Sequence, residues 1–225
     1  MKKILPFNNI NSVLVFAPHH DDESFGCGGT IKKLTEQGCT VDLAVVTEGR
    51  YGVHVANDQE SIQIRERETG LAAQILGIRK VFFMKLISQG LEFNQENLIK
   101  FVQLLRGVYP DLIFLPHQKE MDRDHRISSE LAREACWLSA DGTFLKNIER
   151  VIKPIRMMSY EVWTPIERPF HSVVIDKQLS VKIKAMKAYK SQLENRNYIK
   201  MILGLNQYRA RQQFMDGNYA ESFSY

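Results

Sequence analysis

An unbroken apolar run, Val13-Leu14-Val15-Phe16-Ala17, stops at Pro18 and is followed at once by His19, His20, Asp21, Asp22 and Glu23. A short apolar run closed by a turn residue reads as a buried strand. Five successive residues able to bind a metal or carry a proton therefore sit just past a buried strand end. Carboxylates in such a place are costly unless something compensates their charge. A divalent cation is the simplest compensation, and a mixture of His and Asp donors suits zinc. Gly26, Gly28 and Gly29 then let the backbone turn into a helix over 28–38.

The rest of the first two thirds repeats this alternation. Strands are expected at 12–17, 41–47, 80–84 and 111–115, and helices at 59–76, 95–108 and 126–138. Gly77 closes the second helix and Pro110 follows the third. Strand and helix in turn predict an α/β fold: a Rossmann-like, mostly parallel sheet with helices on both faces. Ligands in such sheets gather beyond the carboxyl ends of the strands. The polar segments 19–23, 47–50 and 117–125 all fall there. Past residue 155 the pattern changes to strands at 156–163 and 172–175 and helices at 178–190 and 195–214. These are read as an appended strand and helix region of one domain spanning 1–225, with 216–225 loosely held.

Composition narrows the function classes. The net charge of +4 comes from 30 basic and 26 acidic residues spread along the chain, so no nucleic-acid surface is expected. No apolar run approaches the roughly 18 residues of a membrane span, and the N-terminal segment MKKILPFNNINS has no apolar core typical of a signal peptide. Cys27, Cys39 and Cys136 form no Cys-x-x-Cys pair. That argues against a disulfide framework or a thiolate zinc site and points to a cytoplasmic protein.

A second cluster, His117-Gln118-Lys119-Glu120-Met121-Asp122-Arg123-Asp124-His125, would face the first across the sheet edge. His19, Asp22 and His125 together would make a three-ligand site with the fourth position open, the layout of catalytic rather than structural zinc. Asp21 beside it could take a proton from the attacking water. Each residue also has a plainer reading. The Asp pair could cap a helix, His117 could be a loop histidine, Asp124 could be an N-cap, and Arg65 and Glu68 could form a surface ion pair.

The ordered set of motifs resembles the LmbE-like, PIG-L-type zinc-dependent de-N-acetylase family. Ala17-Pro18-His19-His20-Asp21-Asp22-Glu23 with Gly26-Cys27-Gly28-Gly29 is similar to its first signature, and Asp122-x-Asp124-His125-Arg126 to its second metal motif. Thr47-x-Gly49, Arg65-x-x-Glu68 with Leu76-Gly77, and Ala188-Tyr189-Lys190-Ser191-Gln192 resemble further family elements. The resemblance implies a hydrolase removing an N-acetyl group from an acetylated amino sugar or its conjugate. His19, Asp22 and His125 would bind Zn2+, with Fe2+ an alternative. Asp21 would be the general base, Asp124 would tune a neighbouring group, and Arg65 would face the sugar. Two departures stand out. His20 replaces the family's proline and could compete as a ligand. Asp122 stands where many members carry an oxyanion-stabilising histidine, a role then assigned to His117, with His171 the other candidate. Ser88-Gln89-Gly90 also replaces the family's acidic sugar contact. Hydrolysis of another N-acyl amide, or non-catalytic sugar or metal binding, are the alternatives, and a homo-oligomer is compatible with all of them.

Overall fold

The computed structural model describes residues 9–55, 57–151, 153–194, 196–213 and 215–225. Seven strands form one sheet in the order β3-β2-β1-β4-β5-β7-β6. They are β1 Ser12–Ala17, β2 Thr40–Thr47, β3 Lys80–Leu86, β4 Leu112–Pro116, β5 Arg156–Tyr160, β6 His171–Val174 and β7 Ala220–Ser224. Strands β1 to β5 pair in parallel, and β7 pairs antiparallel with both β5 and β6. β1 is flanked by β2 on one side and β4 on the other. The strand order reverses there, and a crevice opens beyond the strand ends.

The helices are α1 Asp22–Glu36, α2 Asp58–Leu76, α3 Gln95–Val108, α4 Arg123–Ala140, α5 Leu179–Met186, α6 Lys190–Leu193 and α7 Tyr198–Gln212. Alternation along β1 splits the core into two layers. Val13, Val15 and Ala17 pack with residues of α1, α2, α5 and α7, whereas Leu14 and Phe16 pack with α3 and α4. Phe16 stacks on Phe101 of α3 at 5.0 Å between ring centroids. The expected α/β sheet with helices on both faces is thus the observed one.

The structure departs from the sequence expectation at two helix starts, in the C-terminal segment, at β5, which ends at Tyr160 rather than 163, and in the helix expected at 178–190, which is divided into α5 and α6. α1 begins at Asp22 rather than 28, so the acids form its first turn, and the helix breaks at Cys27 (φ −138°). The break orphans the N–H groups of Gly29 and Thr30, which donate to the two Glu221 oxygens at 2.8 and 2.7 Å. Lys182 Nζ pairs with the same carboxylate at 2.5 Å, with both side chains buried. Glu221 lies on β7, so the segment expected to be loose is instead a strand inserted between β5 and β6. α4 begins at Arg123 rather than 126, which puts Asp124 and His125 in its first turn. The second C-terminal helix spans Tyr198–Gln212, and its expected ends, Asn195 and Phe214, lie outside the described residues, as does most of the segment read for a signal peptide.

Candidate active site

Pro18 is the hinge of the site. Its carbonyl accepts from the Thr47 N–H at 3.0 Å and from the Thr47 hydroxyl at 2.8 Å, which fixes the chain as it leaves β1. Thr47 of the sequence motif therefore anchors the turn. Asp21 takes φ 122°, a conformation that L-residues rarely adopt and that costs of order 1–3 kcal/mol. The strained residue lies at the base of a cleft of about 590 Å³ lined also by His19, Asp22, Arg65, Asp122 and Trp163.

Three donor atoms converge on one point, with His19 and Asp22 in the cleft lining and His125 buried beside them. His19 Nδ1 lies 3.2 Å from His125 Nε2, His125 Nε2 lies 3.1 Å from Asp22 Oδ2, and His19 Nδ1 lies 3.6 Å from Asp22 Oδ2. Ligands ~2.0–2.1 Å from a tetrahedral metal are ~3.3 Å apart, so the triangle has the right edge length. His19, Asp122 and His125 also form a candidate metal cluster, with ligand atoms all within 4.8 Å of one another. The two carboxylates flank the same histidine pair. Asp122 has one oxygen engaged as the N-cap of α4, accepting from the Asp124 and His125 N–H groups at 2.8 and 3.2 Å.

The field at this point favours positive charge. Burial alone would push the His19 imidazole down, but Asp124 and Asp22 hold it up at about 10. Asp22 is held well below the usual carboxylate range by His125 and His19, against the opposing effect of burial. A donor set of this kind fits a divalent cation. His19 Nε2 lies 3.2 Å from Asp124 Oδ2, and that carboxylate also accepts from the N–H groups of Gln89 and Leu91 at 2.6 and 3.3 Å. The imidazole thus has one nitrogen turned to Asp124 and the other to the donor triangle.

Burial pushes the Asp21 carboxyl up to about 8; Arg65 pulls it down, and the neighbouring Asp22 and Glu23 carboxylates raise it. Arg65 Nη2 lies 3.8 Å from Asp21 Oδ1 and donates to the His20 carbonyl, while Nη1 donates to the Tyr51 carbonyl at 3.1 Å. Arg65 therefore lines the cleft and also braces the strained turn. Glu68 is not its partner on the surface. It is buried and accepts from the Ser191 N–H and hydroxyl at 2.8 and 2.7 Å. The neighbouring motif residues work similarly: the Tyr189 hydroxyl donates to Glu23 at 2.7 Å and Gln192 donates to the Gly52 carbonyl at 3.0 Å.

Three histidines lie elsewhere than the sequence suggested. His20 does not join the donor triangle. Its ring is buried, stacks on Phe83 at 5.8 Å and packs under Gly49, where an added Cβ would sit 2.7 Å from the imidazole. Burial, Arg65 and His19 push its pKa well down, keeping it neutral. His117, expected to stabilise an oxyanion, does not line the cleft. Its Nδ1 accepts from the Lys119 N–H at 3.3 Å and its Nε2 donates to the Thr164 carbonyl at 2.6 Å, so both nitrogens are spent on loop geometry. The His117 segment follows β4 and is pulled toward the 161–166 loop rather than toward β1. His171 lies on β6 beside Tyr225, also away from the cleft.

Sequence reasoning missed the cleft wall made by Trp163, Arg196 and Tyr198. The Arg196 guanidinium stands 5.8 Å from the Trp163 ring, whose centroid is 5.7 Å from that of Tyr198. Trp163 lies just past the end of β5, so the strand-end rule that located the other loops would have found it had β5 been ended at Tyr160 rather than run on to 163.

Residues 14–136 match the family described as PIG-L: GlcNAc-PI de-N-acetylase. The chain belongs to this family. Among its relatives, a diacetylchitobiose deacetylase of Thermococcus kodakarensis is 29% identical over 195 residues, covering 83% of this chain and 72% of the relative. A probable N-acetyl-alpha-D-glucosaminyl L-malate deacetylase 2 of Bacillus cereus is 33% identical over 108 residues, covering 45% of this chain and 49% of the relative. The solved N,N'-diacetylchitobiose deacetylase of Pyrococcus horikoshii, complexed with an inhibitor, superposes with a TM-score of 0.88 at 25% identity, over 97% of this chain and 85% of that one. The PIG-L segment ends inside α4, so it takes in both halves of the donor triangle.

Proposed function

We propose that this PIG-L-family protein hydrolyses the acetamide of an N-acetylated amino sugar or sugar conjugate at a divalent-metal site formed by His19, Asp22 and His125. The donor triangle beside Asp21 on the cleft floor carries the reading. The deacetylase names of its relatives support the substrate class. Zinc, or ferrous iron, bound there would supply Lewis acidity toward the amide carbonyl and the attacking water. A cation at the donor triangle would favour the ionised Asp21 carboxylate despite its burial; in that form Asp21 accepts the proton of that water and returns it to the departing amine, giving acetate and a free amino sugar. Asp124 fixes the tautomer of His19. Arg65 holds Asp21 in its strained conformation and presents its remaining edge to the substrate. Three unpaired cysteines support a reducing, cytoplasmic setting. Among the described residues no helix is long and apolar enough to cross a membrane.

Protein purified without added metal is analysed for bound metal, and acetate release is followed with N,N'-diacetylchitobiose and a panel of other N-acyl amides. The expected outcome is about one equivalent of divalent metal and release of acetate from acetylated sugars. Release from other acyl amides alone would move the substrate class. Metal binding with no turnover of any amide would leave a binding protein on the same scaffold.

A further inference from the structure

Glu120 is used by nothing in the mechanism above, although its carboxylate is 1% exposed and lies between two imidazoles. Its Oε1 accepts from the Val162 N–H at 2.7 Å, and its Oε2 from the Trp163 and Thr164 N–H groups at 3.2 and 3.1 Å. Oε1 also lies 3.4 Å from His117 Nε2, and Oε2 lies 3.9 Å from His125 Nδ1. On the far side of the same ring, His125 Nε2 faces His19 and Asp22. His125 Nδ1 is itself buried without a hydrogen-bond partner. A buried N–H left unsatisfied costs about 1–3 kcal/mol, and a Glu120 shift of less than an ångström would bring it into hydrogen-bond range.

We infer that Glu120 is a positioning residue: it orients His125 through Nδ1–H so that Nε2 faces the donor point, while the same carboxylate fixes the loop carrying Trp163 into the cleft wall. A histidine that binds metal with one nitrogen needs the other held, because this sets both the tautomer and the ring plane. Three backbone N–H groups, one on Oε1 and two on Oε2, hold the carboxylate beside the ring, and they leave part of its acceptor capacity unused. His117 donates to the Thr164 carbonyl, so His125 is the imidazole of the two whose nitrogen still needs a partner. One side chain thus ties a metal-site ligand to a substrate-facing wall. The inference rests on the proposed metal site.

The test uses the full-length chain as wild type, Glu120→Gln, Glu120→Asp and Thr164→Ala. The last loosens the same loop by removing the hydroxyl that accepts from the Met121 N–H at 2.8 Å. Zinc affinity is measured by chelator competition, and the cobalt-substituted proteins are compared by absorption. kcat and KM are read with N,N'-diacetylchitobiose. Glu120→Gln is expected to weaken zinc binding about 10–100-fold and to alter the cobalt spectrum. Glu120→Asp should restore part of the affinity. Thr164→Ala should lower the melting temperature while leaving affinity and spectrum unchanged, with any kinetic effect confined to KM. Should the Glu120 variants fail to fold, the zinc-loaded wild type decides alone. Its imidazole nitrogen spectrum is expected to show His125 bound through Nε2, with a slowly exchanging proton on Nδ1. Zinc binding at wild-type strength in folded Glu120→Gln, or a rapidly exchanging Nδ1 proton in the wild type, overturns the role of Glu120 alone. A His125 Nε2 resonance unmoved by zinc overturns the metal site itself.

Discussion

The Asp124 carboxylate lies 3.2 Å from His19 Nε2, although 105 residues separate the two in sequence. That contact leaves His19 Nδ1, rather than Nε2, to face His125 and Asp22. Removing it frees the ring to rotate. Asp124→Asn is expected to weaken metal binding about 10–100-fold, as measured by chelator competition. Unchanged affinity would mean that the ring is held by its packing alone.

Asp21 pairs with Arg65 rather than with a donor atom, so its loss separates chemistry from metal binding. Asp21→Ala is expected to lower kcat by about 10²–10⁴-fold while metal content stays near that of the wild type. Full activity in this variant would remove Asp21 as the base.

His20 is the residue whose chemistry the sequence left open. Its stacking on Phe83 under Gly49 makes it a packing residue. His20→Ala should keep its metal stoichiometry and lose stability to the cavity, though less than an apolar side chain of its size would, because both ring nitrogens are buried without a hydrogen-bond partner. A loss of bound metal in a folded His20→Ala protein would return it to the ligand set.

Gly49 combines φ +77° with the close approach of His20. Gly49→Ala should therefore cost at least about 1 kcal/mol from backbone strain and more from the contact. A thermal melt reads this directly, and an unchanged midpoint would show that the Thr47-to-Tyr51 loop can shift.

Asp111 gives a stability signal away from the site. Burial acts to raise its pKa, but Lys153 and the groups of Asn11 and Ser12 hold it down at about 2. An unfolded-state Asp titrates near 3.9, so the folded protein prefers the charged form. The stability this contributes is fully present above about pH 4 and is lost as pH falls through about 2. Asp111→Asn should thus lower the melting temperature at pH 7, with the gap from wild type narrowing below pH 4. A gap independent of pH would assign the effect to hydrogen bonding rather than charge.

Much of the site was legible because the residues that make it follow strand ends. Apolar runs at 13–17 and 112–115 marked two buried strands, and the polar residues after each could only lie at one sheet edge. Helix ends were less legible. The acids at 22–23 entered α1 because a helix N-terminus accepts negative charge, a preference that the glycines after them masked. The 216–225 segment looked loose because its strand has no partner nearby in sequence. β7 is held by β5 and β6, some 50–65 residues away, and by Glu221 serving the break in α1.

The sequence by itself determined the α/β alternation, the family and the residues able to donate to a metal, since these depend on local pattern and residue type. Only the tertiary structure decided which histidines join the donor point. His19 and His125 turn inward because Asp124 and Asp22 draw their rings. His20, next in the chain to His19, turns onto Phe83, and His117 is spent on the Thr164 carbonyl. Side-chain direction past a strand end is set by partners distant in sequence, which no local pattern encodes.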